Sequence, residues 1–556
     1  MRNFNHSNKK EMKKYIKYLM GMGAMVVVTI TSCKKDFFNR PPGNEPTVGT
    51  YYQTAAEVQA STNILYAAPW FGFNGKAFLA TSELLSGNAR CYVGADQEFG
   101  AYANYTEGNA TPAVTSTWNS LYTVVAQANA LINNLPTAVP SSVPAAVVNN
   151  ALGEARLMRA AAYFYLVRIF GSVPIVTNPT AIAGTSSSVP RNRVVDVYQF
   201  IESDLQFAEA NCTPGVASTG HVSSGSASGL LAKVYLYEQK YALAKTEAEK
   251  VINSGEFGIM GVDFGGTYNG LFQIANNNNK ESMIAMQWSS NSGYGFGNQI
   301  QSVIALNSTI TGTGDGYGEL GPTFDLQDAY VAEGDTVRRH GTIMIPGDYY
   351  AEIDKATGGY KVPLNVSAQG TAAGMKKYVV GTPADNNGLT ATQATSGNTY
   401  ILRYADVYLI EAEAILGLSA NPGAGHGISL TASSTDPTAL KYINIIRQRA
   451  NVQPLTSFTY KQLLNERRLE FAIEGDYWYD IQRIDGFNSA THPVAEGIEA
   501  TINKGDSYGA TAPTYSNYTI NQTFIVPTDA QFLIPIPATE VAADPALTGP
   551  PVPYKF

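Results

Sequence analysis

The chain has 556 residues, 44% of them hydrophobic, and carries 37 lysines and arginines against 45 aspartates and glutamates, a net charge of −8. An acidic chain with no basic run in its body is a poor partner for nucleic acid or for an anionic membrane surface. Three cysteines are too few to define the fold by disulfides.

Residues 1–17 hold Arg2, Lys9, Lys10, Lys13, Lys14 and Lys17 against Glu11, and Tyr18–Ser32 is apolar or small. A basic start before a short apolar run is the pattern of an export signal. The run of about 15 residues falls short of the ~20 that span a bilayer. Ile30-Thr31-Ser32-Cys33 resembles a bacterial lipobox, in which the chain is cut before the cysteine and the cysteine is acylated. Three acyl chains, each gaining about 0.8 kcal/mol per buried methylene, make a durable anchor. Residues 1–32 therefore read as a lipoprotein signal peptide and Cys33 as the lipidation site. The mature chain keeps 31 bases against 44 acids, net −13. Lys34 stands where an aspartate would suggest inner-membrane retention, which leaves the outer membrane open. Of the mature cysteines, Cys91 and Cys212 could pair in an oxidising compartment.

The body is expected to be mainly α-helical, one integrated unit over 33–556. Its helical scaffold lies in 117–259 and 400–485, with loop-rich regions at 68–116 and 260–400. "TWNSLYTVVAQANALINNLP" (117–136) places Leu121, Val124, Val125, Ala128, Leu131 and Ile132 on one helical face, ending at Pro136. "NNALGEARLMRAAAYFYLVRIFGSVPIV" (149–176) is apolar nearly all round from Leu157 to Phe170, which predicts a buried helix stopped by Gly171 and Pro174. Residues 193–211 read as a helix of about five turns. Residues 225–259 read as two antiparallel helices with a tight turn near Gln239-Lys240, a tetratricopeptide-like pair. A similar half-pattern returns at 400–417, with 439–452 as its candidate partner and 459–475 following, a repeat signal too degenerate for a regular solenoid. The two loop-rich regions are long enough to be functional or built around short strands.

Several strings, in this order, resemble those of the SusD/RagB family of surface lipoproteins of Bacteroidetes nutrient-uptake systems. They are "WNSLYTVVAQANALI", "EARLMRAAAYFYLVRIFGSVPIVT", "LLAKVYLYEQKYALAKTEAEKVINSGEF", "ILRYADVYLIEAEAI", "INIIRQRANV", "LNERRLEFAIEGDYWYDIQR" and the C-terminal "LIPIPATEVAADPALT", within 531–549. Asp476 and Tyr477 depart from the polar or basic pair common there. The resemblance implies a SusD-like α-helical fold with four tetratricopeptide-like pairs. It implies a glycan-binding protein at the cell surface, lipid-anchored to the outer membrane and docked as a lid on a SusC-like TonB-dependent transporter. Peptide capture is the alternative within binding proteins, and a surface glycosidase the alternative from another class.

Chemistry-bearing motifs are sparse. Gly316-Tyr-Gly318-Glu-Leu-Gly321 matches a dinucleotide fingerprint by letters but lacks the strand–turn–helix context and reads as a loop. The five histidines have no zinc-like spacing, so neither a metal nor another cofactor is expected. A glycosidase needs two carboxylates roughly 5–10 Å apart. Asp325 with Asp328, or Glu411 with Glu413, could be nominated, but all four read as solvated or ion-paired acids, and no enzyme is expected. Arg156, Arg159, Arg467 and Arg468 read as structural ion pairs. Sugar rings present C–H faces that pack on aromatic rings, while Asn, Asp and Gln bond the hydroxyls. The ligand candidates are therefore Trp70, Phe71, Phe73, Asn74, Tyr92, Asp96 and Gln97 in the first loop region, and Trp288, Tyr294 and Tyr317 in the second. Trp288 sits in the strand-like "SMIAMQWSS" and is the best core candidate among them.

Overall fold

The computed structural model describes residues 51–91, 97–178, 188–215, 220–366, 368–423, 425–502 and 526–556, with the Gln97 side chain left out. The export signal, Cys33, Tyr92 and Asp96 lie outside the described residues. The chain divides into Met1–Gln53, of which only Tyr51–Gln53 are described, and Thr54–Phe556, which carries everything below.

Eight helices form the scaffold: α1 Pro112–Ala138, α2 Ala145–Phe170, α3 Val194–Asn211, α4 Ser224–Tyr237, α5 Tyr241–Ser254, α6 Tyr404–Ala420, α7 Pro437–Arg449 and α8 Tyr460–Phe471. From α1 to α7 each packs on the next, and α8 packs on both α6 and α7. The stacking is therefore sequential despite the degenerate repeat signal, because α5 passes its packing directly to α6 across the long second loop region.

Local sequence explains the ends. Capping boxes at Ser223/Ser226 and Thr459/Gln462 start α4 and α8, and Asp436 before Pro437 caps α7. Every residue of α2 from Leu157 to Phe170 is buried, as its unbroken apolar run predicts. The α4–α5 turn falls at Gln239, in the left-handed region at φ 57°. Pro136 does not end α1, which runs to Ala138. A proline in the last turn removes only one backbone donor, and the helix stops within the next two residues. Close approach of α5 and α6 requires a glycine: a Cβ on Gly417 would lie 2.5 Å from the Tyr241 ring.

The regions expected as loops are partly helical, with short helices such as Lys76–Leu79, Gln97–Ala103, Phe324–Ala332 and Thr336–Thr342. Strand β1 (Ser282–Met286) pairs antiparallel with β2 (Thr399–Arg403), which leads directly into α6. A two-residue pairing of Ala89–Arg90 with Gly321–Pro322 ties the first loop region to the second.

Charged side chains, not only apolar ones, fill the centre. Arg467 binds Asp406 (2.6 Å) and Asp480 (2.7 Å). Lys233 binds Asp406 (2.8 Å) and Asp476 (2.7 Å), so the departure at Asp476 supplies a buried partner for a buried lysine. Arg403 bridges Glu281, Glu470 and Glu474 at 2.6–3.0 Å. Arg159 is held by Asp204 at 2.7 Å, with Arg156 at 3.6 Å. Cys91 and Cys212 are both buried and not joined in a disulfide, and burial pushes the Cys212 thiol up to about 12.

Candidate functional site

The two loop regions meet in a groove of about 320 Å³, within the range of ligand sites. Phe71, Tyr294 and Tyr317 supply its rings, and Lys76, Glu98, Gln299 and Gln393 are among its polar side chains. The floor is fixed by a buried polar knot. Asn74 donates to Asn298 Oδ1 (3.0 Å) and accepts from Thr399 Oγ1 (2.9 Å), and Asn298 also donates to Thr399 Oγ1 (3.0 Å).

The two tyrosines are presented by the same device. Tyr294 stands between Gly293 (φ 75°) and Gly295 (φ 96°), Tyr317 between Gly316 (φ 102°) and Gly318 (φ 56°). Positive φ on both sides turns the backbone sharply and pushes the intervening side chain outward. Ser289 N–H closes the first loop on Phe296 O (2.8 Å), and Tyr317 N–H ties the second to Ser302 O (2.9 Å). Tyr294 is 69% exposed and Tyr317 52%. Tyr294 packs edge-on against half-buried Phe71, and Gln393 donates to the Tyr317 hydroxyl at 3.2 Å. Gln393 is itself held by its N–H to Asp315 Oδ2 (2.6 Å). Lys76 is braced by Glu319 at 3.0 Å. The groove thus offers ring faces beside fixed amide and ammonium groups, which suits a ligand with C–H faces and many hydroxyls.

The expected site residues divide. Phe71, Asn74, Tyr294 and Tyr317 come together in the groove. Trp70 and Phe73 do not: both are fully buried. The Trp70 indole donates to Leu65 O (2.8 Å), and the Phe73 ring packs on Tyr165 (4.8 Å) and Phe78 (5.8 Å). The short turns at 68–75 direct these two rings against α2, and only Phe71 outward. Trp288 is a core residue, 6% exposed, donating to Thr399 Oγ1 at 3.2 Å, with its ring behind Phe71. Gln97 begins a short helix, and its side chain is not described. Lys76, Gln299 and Gln393 were missed because nothing in their neighbourhoods marks them. The tyrosines carried a signal, since each is the centre of a Gly-Tyr-Gly string.

The nominated carboxylates are engaged elsewhere. Asp325 accepts from Arg468 at 2.6 Å. Glu413 pairs with Arg483 and accepts from Tyr460 at 3.0 Å. Glu411 is buried 3.7 Å from Lys245, and burial pushes its pKa up to about 7. None of the four lines the groove. Among the described residues no group of His, Cys, Asp and Glu could hold a metal ion.

The SusD family profile matches residues 280–552, and a profile described as "Starch-binding associating with outer membrane" matches 86–236. A SusD-like protein of Bacteroides ovatus is 30% identical over 98% of this chain and all of its own length. SusD-like protein P2 of Formosa agariphila is 27% identical over 82% of this chain and 88% of its own. A solved structure determined with a xylogluco-oligosaccharide superimposes with a TM-score of 0.77 at 30% identity, covering 90% of this chain and 99% of that one. A laminarin binding SusD-like protein shares the fold, with a TM-score of 0.65 at 23% identity over 88% of this chain and 98% of its own. With a relative 30% identical along its whole length and the same helical stack, the chain belongs to the SusD family.

Proposed function

We propose that this protein captures a glycan at the outer face of the outer membrane and hands it to a SusC-like TonB-dependent transporter, over which it acts as a hinged lid. The observation that carries the capture step is the groove itself: Phe71, Tyr294 and Tyr317 converge beside Lys76, Gln299 and Gln393. Ring faces take the apolar faces of sugars, and the amides and ammonium take hydroxyls. The likeness to a structure determined with a xylogluco-oligosaccharide makes that ligand the first to test. Electrophoresis through gels containing a panel of polysaccharides, with oligopeptides as competitors, is the experiment. Retardation by a glycan without release of shorter products supports the reading. Free migration through every gel, or displacement by the peptides, contradicts it.

The delivery step follows from anchoring and from the membrane. No described helix is long and apolar enough to cross a bilayer, and the lipobox at 30–33 offers acylation at Cys33 as the tether. Transport of a glycan then requires a separate pore. A specific contact with that pore needs at least about 1,000 Å² of interface. Purification of the tagged lipoprotein from native membranes in mild detergent is expected to bring a β-barrel transporter with it. Recovery of the lipoprotein alone, under conditions that preserve other outer-membrane complexes, contradicts the lid.

A further inference from the structure

A second cleft, of about 390 Å³, lies along β1, with Ser282, Met283 and Ala285 in its wall. Trp288, just past the other end of β1, backs Phe71 in the aromatic groove. Six steps of extended chain lead from Ser282 to Trp288, so these two residues of the cleft wall and the groove's backing lie no more than about 21 Å apart along the backbone.

The lining of this cleft has the same chemical character as the groove. One aromatic ring, half-buried Phe257, is surrounded by His221, Glu256, Asn278, Asn279 and Lys280. The amides are oriented in advance. Asn278 has φ 56° and exchanges amide hydrogen bonds with Gln287 (3.0 and 2.8 Å), while Asn398 also donates to it (2.9 Å). Asn279 donates to the Tyr400 hydroxyl at 3.0 Å. His221 is held through Nδ1 to Glu154 (2.7 Å) and Nε2 to Asn63 (2.9 Å). Room for the ring and its neighbouring carboxylate comes from Gly225 in the first turn of α4. A Cβ there would lie 2.6 Å from Glu256 Oε2 and 2.9 Å from the Phe257 ring. At the rim, exposed Lys280 offers an ammonium that pairs with no described residue, and Glu256 offers a carboxylate. One ring face bordered by fixed amides, a donor cation and an acceptor anion matches a saccharide, with its C–H face and paired hydroxyls. It does not match a simple anion, cation or apolar ligand.

We propose that this cleft is a second saccharide subsite, engaged by glycans long enough to reach it from the groove. The proposal rests on the reading of the protein as a glycan binder and adds a chain-length preference to it. A second contact on one ligand acts intramolecularly, so even a weak subsite raises affinity for long chains while leaving short ones unaffected.

The test is calorimetric titration of the full chain with two probes, a short xylogluco-oligosaccharide and polymeric xyloglucan. Phe257→Ala/Lys280→Ala is expected to bind the oligosaccharide within twofold of the parent and the polymer at least fivefold more weakly. Lys280→Ala alone, at an exposed position, is expected to weaken the polymer at least twofold and serves as the test if loss of Phe257 disturbs folding. Polymer affinity unchanged in both variants, or equal weakening of both probes, overturns the subsite. Titration of Tyr294→Ala/Tyr317→Ala separates the two readings. If that variant keeps parental affinity for both probes while the cleft variant loses the polymer, the groove reading fails and the cleft stands. If the groove variant loses both probes and the cleft variant loses neither, the groove stands and the cleft fails.

Discussion

Phe71 and Tyr294 meet edge to face, with ring centroids 5.0 Å apart and planes at 77°, although each belongs to a different loop region. The contact joins the exposed ring of one region to the half-buried ring of the other. It is made possible by the polar knot beneath it, in which Asn74 reaches Asn298 and Thr399. Two segments far apart in sequence therefore build one surface, supported from within by hydrogen bonds that water does not compete for.

Neighbouring rings in the first region are expected to separate by role. Trp70→Ala removes a fully buried indole and is expected to cost about 3–5 kcal/mol of stability. Phe71→Ala trims a half-buried ring and is expected to cost less than about 1.5 kcal/mol, while weakening glycan binding. Denaturant melts of the two variants check the order. Equal losses contradict the assignment of Trp70 to the core.

The buried charge cluster gives a second expectation. Arg467 is fully buried among Asp406, Asp476 and Asp480. Arg467→Met leaves three carboxylates facing Lys233, Arg483 and, at 3.9 Å from Asp476, Arg168, and breaking one partner of a buried cluster costs about 3–5 kcal/mol. Chemical denaturation is the measurement. A change below about 1 kcal/mol shows that the cluster relaxes or admits water.

Stability should depend on pH in two windows. Burial raises Glu238 to about 8 and Glu411 to about 7, above the ordinary carboxylate range. A raised acid binds its proton more tightly in the folded state, so its contribution is greatest at low pH and is lost as pH rises toward the folded pKa. Stability is therefore expected to fall between about pH 5 and 8. Glu470 has the opposite sign: burial disfavours its charge, but the guanidinium groups of Arg449, Arg403 and Arg338 overcome this and hold it at about 2. Its contribution is lost as pH falls below about 4 toward that value. Glu411→Gln is expected to raise the melting temperature at pH 8, to leave it nearly unchanged at pH 5, and so to flatten the upper slope. A parallel shift at both pH values contradicts this origin.

Much of this architecture is legible in the sequence. The apolar run Leu157–Phe170 gives α2, and Gln239-Lys240 gives the turn between α4 and α5, because helical periodicity and turn residues act locally. The end of α1 is misplaced because Pro136 sits where the chain needs only one fewer hydrogen bond. Trp70 and Phe73 are misassigned because burial of loop rings depends on where short turns point, which no local pattern encodes. Gln299 and Gln393 reach the groove through tertiary contacts across the second loop region, and single glutamines carry no signal. The two Gly-Tyr-Gly strings are the part of the site that sequence does mark, since paired glycines around a large polar ring imply forced display.

Anchoring rests on the string Ile30-Thr31-Ser32-Cys33. Cys33→Ala is expected to abolish labelling by a palmitate analogue and to release the protein from the membrane fraction. Unchanged labelling removes the lipobox from the account.

The most direct test of the groove is isothermal titration of a xylogluco-oligosaccharide into the parent protein and into Tyr294→Ala/Tyr317→Ala. Both side chains are largely exposed, so the variant is expected to melt within a degree or two of the parent. The account predicts saturable binding by the parent, weakened at least tenfold, about 1.4 kcal/mol, by the double substitution. Parental affinity retained in a folded double variant contradicts the account, because the ligand would then be held somewhere other than the aromatic groove.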